Sequence, residues 1–494
     1  MSPDRSPADK AFQLAMAFLA AGKLDDAAMA FADAARLRPA WWEAWARLAS
    51  VHDARKDWSA SIPAYERALE LQPKSPQVLC NLGMAYLARR NYAEALRRFA
   101  QAAVLPPPIP EVFNGMGVAC KALNRPVEAV EAFRKALSLR PADVDWLCNL
   151  GNTYAALHRF EEAHAAYDQV LKMKPGDGAA RFGKSLAYLV CGQFKEGFAL
   201  YESRWESELR GCKRVFGKPE WNGETPLEGK TVLVDCEQGL GDTIQFVRYV
   251  TMLVQRNARV WLEVQPSLVD LCKTIPGVTV FPEKTAPDSY DLTCSLLSLP
   301  RLLKTTLETI PSAAPYLFAD LAKAAAWRER LATSAEPRIG LVPSGNPHHT
   351  NDHNRSIALE TLAPIFEAFT GSLFILQKEL AQPDRAFLAK RPIATHVGAE
   401  FTDFTETAAA IENLDLVISV DTSLAHLAGA LGKPVFLFLP FSPDWRWLLD
   451  RADSPWYPSM QIFRQTNPGD WGPAIEAVSR ELASRRSGAN QEKL

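Results

Sequence analysis

At 494 residues the chain is longer than one ordinary core supports, so it is read as several folding units. Hydrophobic residues make up 48% and charged residues 23%, a globular composition that can bury several cores. Lys plus Arg number 55 against 57 Asp plus Glu, and this near balance gives no electrostatic reason to expect a nucleic-acid partner.

The opening MSPDRSPADK is polar and lacks the apolar stretch of a secretory signal, and no segment approaches the length of a membrane span. The eight cysteines are scattered without a CxxC pair, which argues against a zinc or redox motif and fits a reducing cytoplasm.

Prolines fall at Pro39, Pro73, Pro107, Pro141 and Pro175, each 34 residues after the last, and 34 is the period of the tetratricopeptide helix pair. Small and large residues recur with the prolines: Leu82, Gly83, Tyr86, Ala95 and Phe99 in one unit, Leu150, Gly151, Tyr154, Ala163 and Tyr167 in another. The small residues let two helices approach, the aromatics fill the gap, and the proline ends the second helix. Residues 1–206 are therefore expected to form an all-α tetratricopeptide superhelix of five clear repeats and a degenerate sixth. Such an array predicts a protein ligand. Asn81, Asn114 and Asn149 are candidate acceptor contacts, because an Asn amide can both donate to and accept from a peptide backbone. Asn81 and Asn149 sit in LCNLG contexts that resemble the asparagine ladder of protein O-GlcNAc transferases; ordinary polar positions on the repeat are the alternative.

After a junction at 207–230, strands and helices alternate. TVLVDC, ARVWLEV, RIGLVP, SLFILQK, LDLVISV and PVFLFLP read as buried parallel strands, which predicts an α/β GT-B domain of two Rossmann-like halves, 231–330 and 331–494. Ligands bind such sheets at the carboxyl ends of the strands. The turn EQGLG lies at one such end and supplies Gln238 as a candidate acceptor contact and Asp242 at the opening of a helix, where its alternative role is capping. A dinucleotide site would want a third glycine at Ile244, leaving Glu263 as the one feature favouring NAD.

EQGLGDTIQFVRY, SGNPHHTNDHNRS, SVDTSLAHLAGALGKPV and PDWRWLLDRADSPWYP together resemble the signature segments of bacterial tetratricopeptide-linked glycosyltransferases related to the ADP-heptose:lipopolysaccharide heptosyltransferases of family 9. The resemblance implies that Asp242 is the general base and that Asp421, Thr422, Ser423 and His426 hold the donor nucleotide and its phosphates. It also implies a basic phosphate contact from Arg355, in a loop whose Ser344 and Asn346 join the donor contacts. Pro343 departs from the aromatic residue often found there. Some proteins of this architecture modify flagellin with nonulosonic acids, which makes flagellin a candidate acceptor.

From the residues themselves, a carboxylate can take the acceptor's proton, and a strand-to-helix junction at Thr422 and Ser423 can bind phosphate. Arg355 and Lys378 add cations. Asp143-Val144-Asp145 reads as helix capping, and His348, His349 and His353 lack a convincing set of further ligands, so no metal and no other cofactor is expected. Trp445, Trp447 and Trp456 are core or a sugar platform, with core preferred for the last two. The expectation is an inverting, metal-independent glycosyltransferase that uses a nucleotide sugar and a protein acceptor. Alternatives are a heptosyltransferase-like enzyme with a lipid or polysaccharide acceptor, and a non-catalytic repeat scaffold.

Overall fold

The computed structural model describes residues 6–207, 209–349 and 351–489. The chain divides into two compact units, Met1–Gly183 and Lys184–Leu494, with the boundary inside the helix Gly178–Val190.

Up to that boundary the chain is a tetratricopeptide array of antiparallel helix pairs: Pro7–Ala20 with Leu24–Leu37, Trp42–Ala54 with Trp58–Leu71, Pro76–Ala88 with Tyr92–Ala103, Pro110–Ala122 with Pro126–Leu139, and Val144–Ala156 with Phe160–Met173. Each pair buries its apolar stripe against its neighbours, since no pair has a core of its own. Close approach depends on glycine. A Cβ on Gly83 would lie 2.5 Å from the Phe99 ring and one on Gly115, in the next pair, 2.4 Å from the same ring; Gly151 and Gly183 flank Tyr167 in the same way. Gly83→Ala is therefore expected to destabilise the protein by about 1–3 kcal/mol through overpacking, read as a lower denaturant midpoint at unchanged m-value.

A second periodicity lies in the backbone. Gly22, Lys56, Arg90, Asn124, His158 and Gly192, again 34 apart, all take positive φ, from 57° to 76°, in the turn that joins the two helices of a pair. The left-handed turn is thus imposed by the repeat geometry even where Lys, Arg or His must adopt it. The Gly192 turn leads into Phe194–Tyr201, whose Gly197 carbonyl accepts from the Ser185 hydroxyl at 2.8 Å.

The second unit holds two parallel sheets. Strands β1 (Thr231–Asp235), β2 (Arg259–Val264), β3 (Val278–Pro282) and β4 (Leu292–Ser295) run in the order β3-β2-β1-β4. Strands β5 (Arg338–Val342), β6 (Ser372–Ile375), β7 (Ala394–His396), β8 (Leu416–Val420), β9 (Val435–Leu439) and β10 (Met460–Arg464) run in the order β10-β9-β8-β5-β6-β7. The second order is the doubly wound Rossmann arrangement and the first is part of it, so each sheet has a switch point, beside β1 and β4 in one and β5 and β8 in the other. The central strands β1, β8 and β9 are buried along their whole length, as expected where helices cover both faces. The C-terminal helix Gly472–Ala489 closes one face through Ala474, Ile475, Val478 and Leu482.

The halves are joined by a buried arginine. Arg248, from the first half, donates to the Trp456 carbonyl at 2.5 Å and the Tyr316 hydroxyl at 2.8 Å, and lies over the Tyr316 and Tyr457 rings at 4.4 and 4.5 Å. Carbonyls and aromatic faces satisfy its charge in place of a carboxylate.

Candidate active site

The loops that leave the strand ends of both halves line one cleft of about 760 Å³. The β1 loop contributes Gly239 to Asp242. The β5 loop contributes Ser344 to Pro347, His349 and Arg355, and the β6 loop contributes Leu376 to Glu379. Asp421 to Leu424 and His426 follow β8, and Asp444 and Arg446 follow β9. Asp242, Ser344, Asn346, Arg355, Lys378, Asp421, Thr422, Ser423 and His426 thus share one cavity. The remaining candidates do not. Gln238 is exposed outside the lining and donates to the Tyr201 hydroxyl at 3.2 Å. Asn81, Asn114 and Asn149 lie on the first helices of three repeat pairs; Asn81 accepts from Gln77 at 2.9 Å, and the Asn114 side-chain oxygen is buried without a hydrogen-bond partner.

Two helix starts meet at the cleft. The helix expected to open at Asp242 begins instead at Leu240, because Asp242 Oδ2 reaches back to accept the Gly239 N–H at 2.8 Å, the reciprocal half of a capping box. Opposite it, Ser423–Ala430 begins after Thr422. Gly241 stands where a Cβ would come within 3.1 Å of the His426 ring and 3.5 Å of Ser423 Cα, so glycine lets the two starts approach without crowding the ring. First-turn N–H groups of a helix have no partner within the helix and favour anions.

Charges in the cleft are densely coupled. Asp242 Oδ1 pairs with Arg446, which also donates to Asp444 at 2.8 Å. Burial raises the Asp242 carboxyl above its ordinary value despite the opposing pull of Arg446. Burial and Asp444 raise Asp421 likewise, against Arg355. Arg355 donates to the Asp421 carbonyl at 2.9 Å and to Asp352 at 3.2 Å, tying the β5 loop to the β8 loop. The Asn346 side chain accepts from the His348 N–H at 2.9 Å and so shapes that loop from within. Burial and the nearby Arg446, Arg248 and Arg355 push His426 well below its ordinary value, which leaves it neutral. Its Nδ1 lies 2.9 Å from the Tyr457 hydroxyl. A neutral ring that accepts there carries its proton on Nε2, 3.8 Å from Asp421.

Other residues singled out in the sequence lie outside the cleft lining. Trp445 is no sugar platform: it is 4% exposed and enclosed by Phe198, Tyr201, Phe246 and Trp456. Trp447 and Trp456 are fully buried, as expected of core. Glu263 serves no ribose; it pairs with Arg214 and accepts the Ala286 N–H at 2.9 Å. Glu237, part of the glycine turn, is withdrawn into a bidentate pair with Arg204 at 2.7 and 2.8 Å. Asp143 caps its helix by accepting the Trp146 N–H at 3.1 Å. Among the described residues no group of three His, Cys, Asp or Glu could hold a metal ion, and no helix is long and apolar enough to cross a membrane. Arg204 carries no mark in the sequence, since it lies 33 residues before Glu237 and meets it only in the fold, whereas Arg248 shares the EQGLGDTIQFVRY segment with the glycine turn.

Fold and cleft together define a tetratricopeptide-repeat protein with an α/β domain of GT-B type. Residues 394–467 match the model of glycosyltransferase family 9 (heptosyltransferase), and residues 12–76, 64–97 and 122–181 match tetratricopeptide repeat models, so the chain combines these repeats with a glycosyltransferase family 9 domain. The family 9 match includes Asp421 to His426 and Arg446 but begins after Asp242 and Arg355. The chain is similar to Protein FlbA of Caulobacter vibrioides, 28% identical over 310 residues covering 57% of this chain; it spans 51% of that relative's length. Among solved structures, Pseudomonas aeruginosa pilF aligns with 42% of this chain and 93% of its own at 20% identity and a TM-score of 0.36. MamA aligns with 34% of this chain and 98% of its own at 23% identity and a TM-score of 0.31.

Proposed function

We propose that this protein is an inverting glycosyltransferase that moves a sugar from a nucleotide donor to a hydroxyl of a protein brought to it by the repeats. The observation that carries this reading is the convergence of Asp242 with Arg355, Lys378, Thr422, Ser423 and His426 on one cleft at facing strand ends, together with the family 9 match. The acceptor oxygen attacks the anomeric carbon, its proton passes to Asp242, and the bond to the donor phosphate breaks. Arg355, Lys378 and the helix start at Thr422 and Ser423 meet the charge that gathers on the leaving phosphate. This chemistry uses side-chain cations in place of a divalent metal.

Flagellin is the protein acceptor suggested by the resemblance, and the cytoplasm, where nucleotide sugars are made, is the proposed location. A saccharide acceptor is the second reading, favoured by the heptosyltransferase description of the matched family. Thermal unfolding in the presence of UDP, GDP, ADP or CMP tests the donor assignment. One nucleotide is expected to stabilise the protein by about 2.7 kcal/mol at a hundredfold excess over its Kd, with no change on adding EDTA; four flat titrations would remove the donor site.

A further inference from the structure

Arg446 is the cleft's most constrained cation. It is 6% exposed and sits in the short turn Trp445–Trp447, its guanidinium beside the Trp445 and Phe246 rings at 4.8 and 5.4 Å. One terminal nitrogen donates to Asp242 and the other to Asp444. The remaining guanidinium nitrogen, Nε, is buried with its N–H lacking a hydrogen-bond partner. A buried donor left unmade is costly, and this one belongs to a residue that lines the cleft. Asp242 is correspondingly engaged on both oxygens, with Oδ1 on Arg446 and Oδ2 on the Gly239 N–H. A carboxylate that shares a cation is a weaker proton acceptor than the same carboxylate without it.

Resting on the glycosyltransferase reading, we propose that Arg446 is a donor-operated switch: it masks Asp242 in the empty cleft and transfers its guanidinium to the donor phosphate when the nucleotide sugar is seated. The fork of a guanidinium matches two phosphate oxygens, and its Nε–H gains the acceptor it lacks. Asp242 Oδ1 is then exposed without its compensating cation, and its affinity for a proton rises when the acceptor hydroxyl must lose one. The base is competent only in the donor complex, so donor binds before acceptor.

The switch makes Asp242 and the phosphate competitors for one arginine, which a binding cycle can measure without any turnover. Calorimetric titration of the whole chain with UDP, GDP, ADP and CMP first selects the nucleotide that binds. Arg446→Met, which keeps an unbranched stem between the rings, is expected to weaken that nucleotide by roughly 10- to 150-fold, the worth of a charged hydrogen bond. Arg446→Lys should fall between this variant and wild type. Asp242→Asn should tighten binding, because the arginine is no longer shared, and the gain should vanish in the Asp242→Asn/Arg446→Met double variant. Far-UV circular dichroism confirms folding; if Arg446→Met is unfolded, the same cycle is run with Arg446→Lys, where a reduced Asp242→Asn gain is expected. A gain that survives intact without Arg446, or an affinity indifferent to Arg446, overturns the switch and leaves the donor site standing. A wild-type chain that binds none of the four nucleotides at millimolar concentration overturns the function and the switch together.

Discussion

Asp242→Asn is expected to slow glycosyl transfer by about 10²- to 10⁴-fold, the usual contribution of a positioned general base, while the nucleotide still binds. The two effects separate because Asp242 stands at the β1 loop, whereas Arg355 and Thr422 to His426 belong to the β5 and β8 loops. The pH profile supplies a second signature. A base acts only when ionised, and burial raises the Asp242 carboxyl above its ordinary value, so wild-type transfer should fall as the pH drops through a value above the normal carboxylate range. In the Asn variant that acidic limb should disappear. Stopped-assay rates across pH 4 to 8, at saturating donor, measure both; an Asn variant with an unchanged rate and limb assigns the base elsewhere.

Loss of the Arg204 guanidinium is expected to have the largest effect on stability. Arg204 is fully buried, forks onto both oxygens of Glu237, and donates to Glu202 at 3.0 Å and to Ser298 at 2.9 Å. Glu237 immediately precedes the turn that leads to Asp242, and it also accepts the Leu297 N–H at 3.1 Å. Arg204→Met strands Glu237 as a buried carboxylate without its cation, at a cost of about 3–5 kcal/mol. Removing both charges costs far less than removing one, so Arg204→Met/Glu237→Gln should recover much of that loss. Chemical denaturation of the wild type and both variants measures the difference. A double variant no better than Arg204→Met would mean that the pair acts through its shape and not its charge.

What the sequence made legible follows physical range. The repeats are local: each 34-residue unit sets the same turn and the same glycine-aromatic contact, so periodicity alone exposes them. Strands β1, β2, β5, β6, β8 and β9 were legible as apolar runs because they occupy sheet interiors or carry long buried stretches. Strand β3 is only half buried and β7 has three residues, so neither stands out from a loop. The donor residues gather in one cleft because strand ends in doubly wound sheets face one way, a rule that needs only the strand positions. The masking of Asp242 was not legible in this sense. Its partner Arg446 lies 204 residues away, and only the packing of the two halves through Arg248 and Trp445 brings them together. Trp445 misleads for the same reason, since Phe198, Tyr201 and Phe246 in the aromatic cage around it come from two distant segments.

The most direct test is intact-mass spectrometry of candidate acceptor proteins, flagellin among them, after incubation with the purified chain and each nucleotide sugar in turn. One acceptor should gain the mass of one or more glycosyl units with matching release of nucleotide, and the gain should be lost with Asp242→Asn. A chain that binds nucleotide in the cleft yet adds no mass to any protein, or that modifies it equally well without the Asp242 carboxylate, would overturn the assignment of this cleft as a protein glycosylation site.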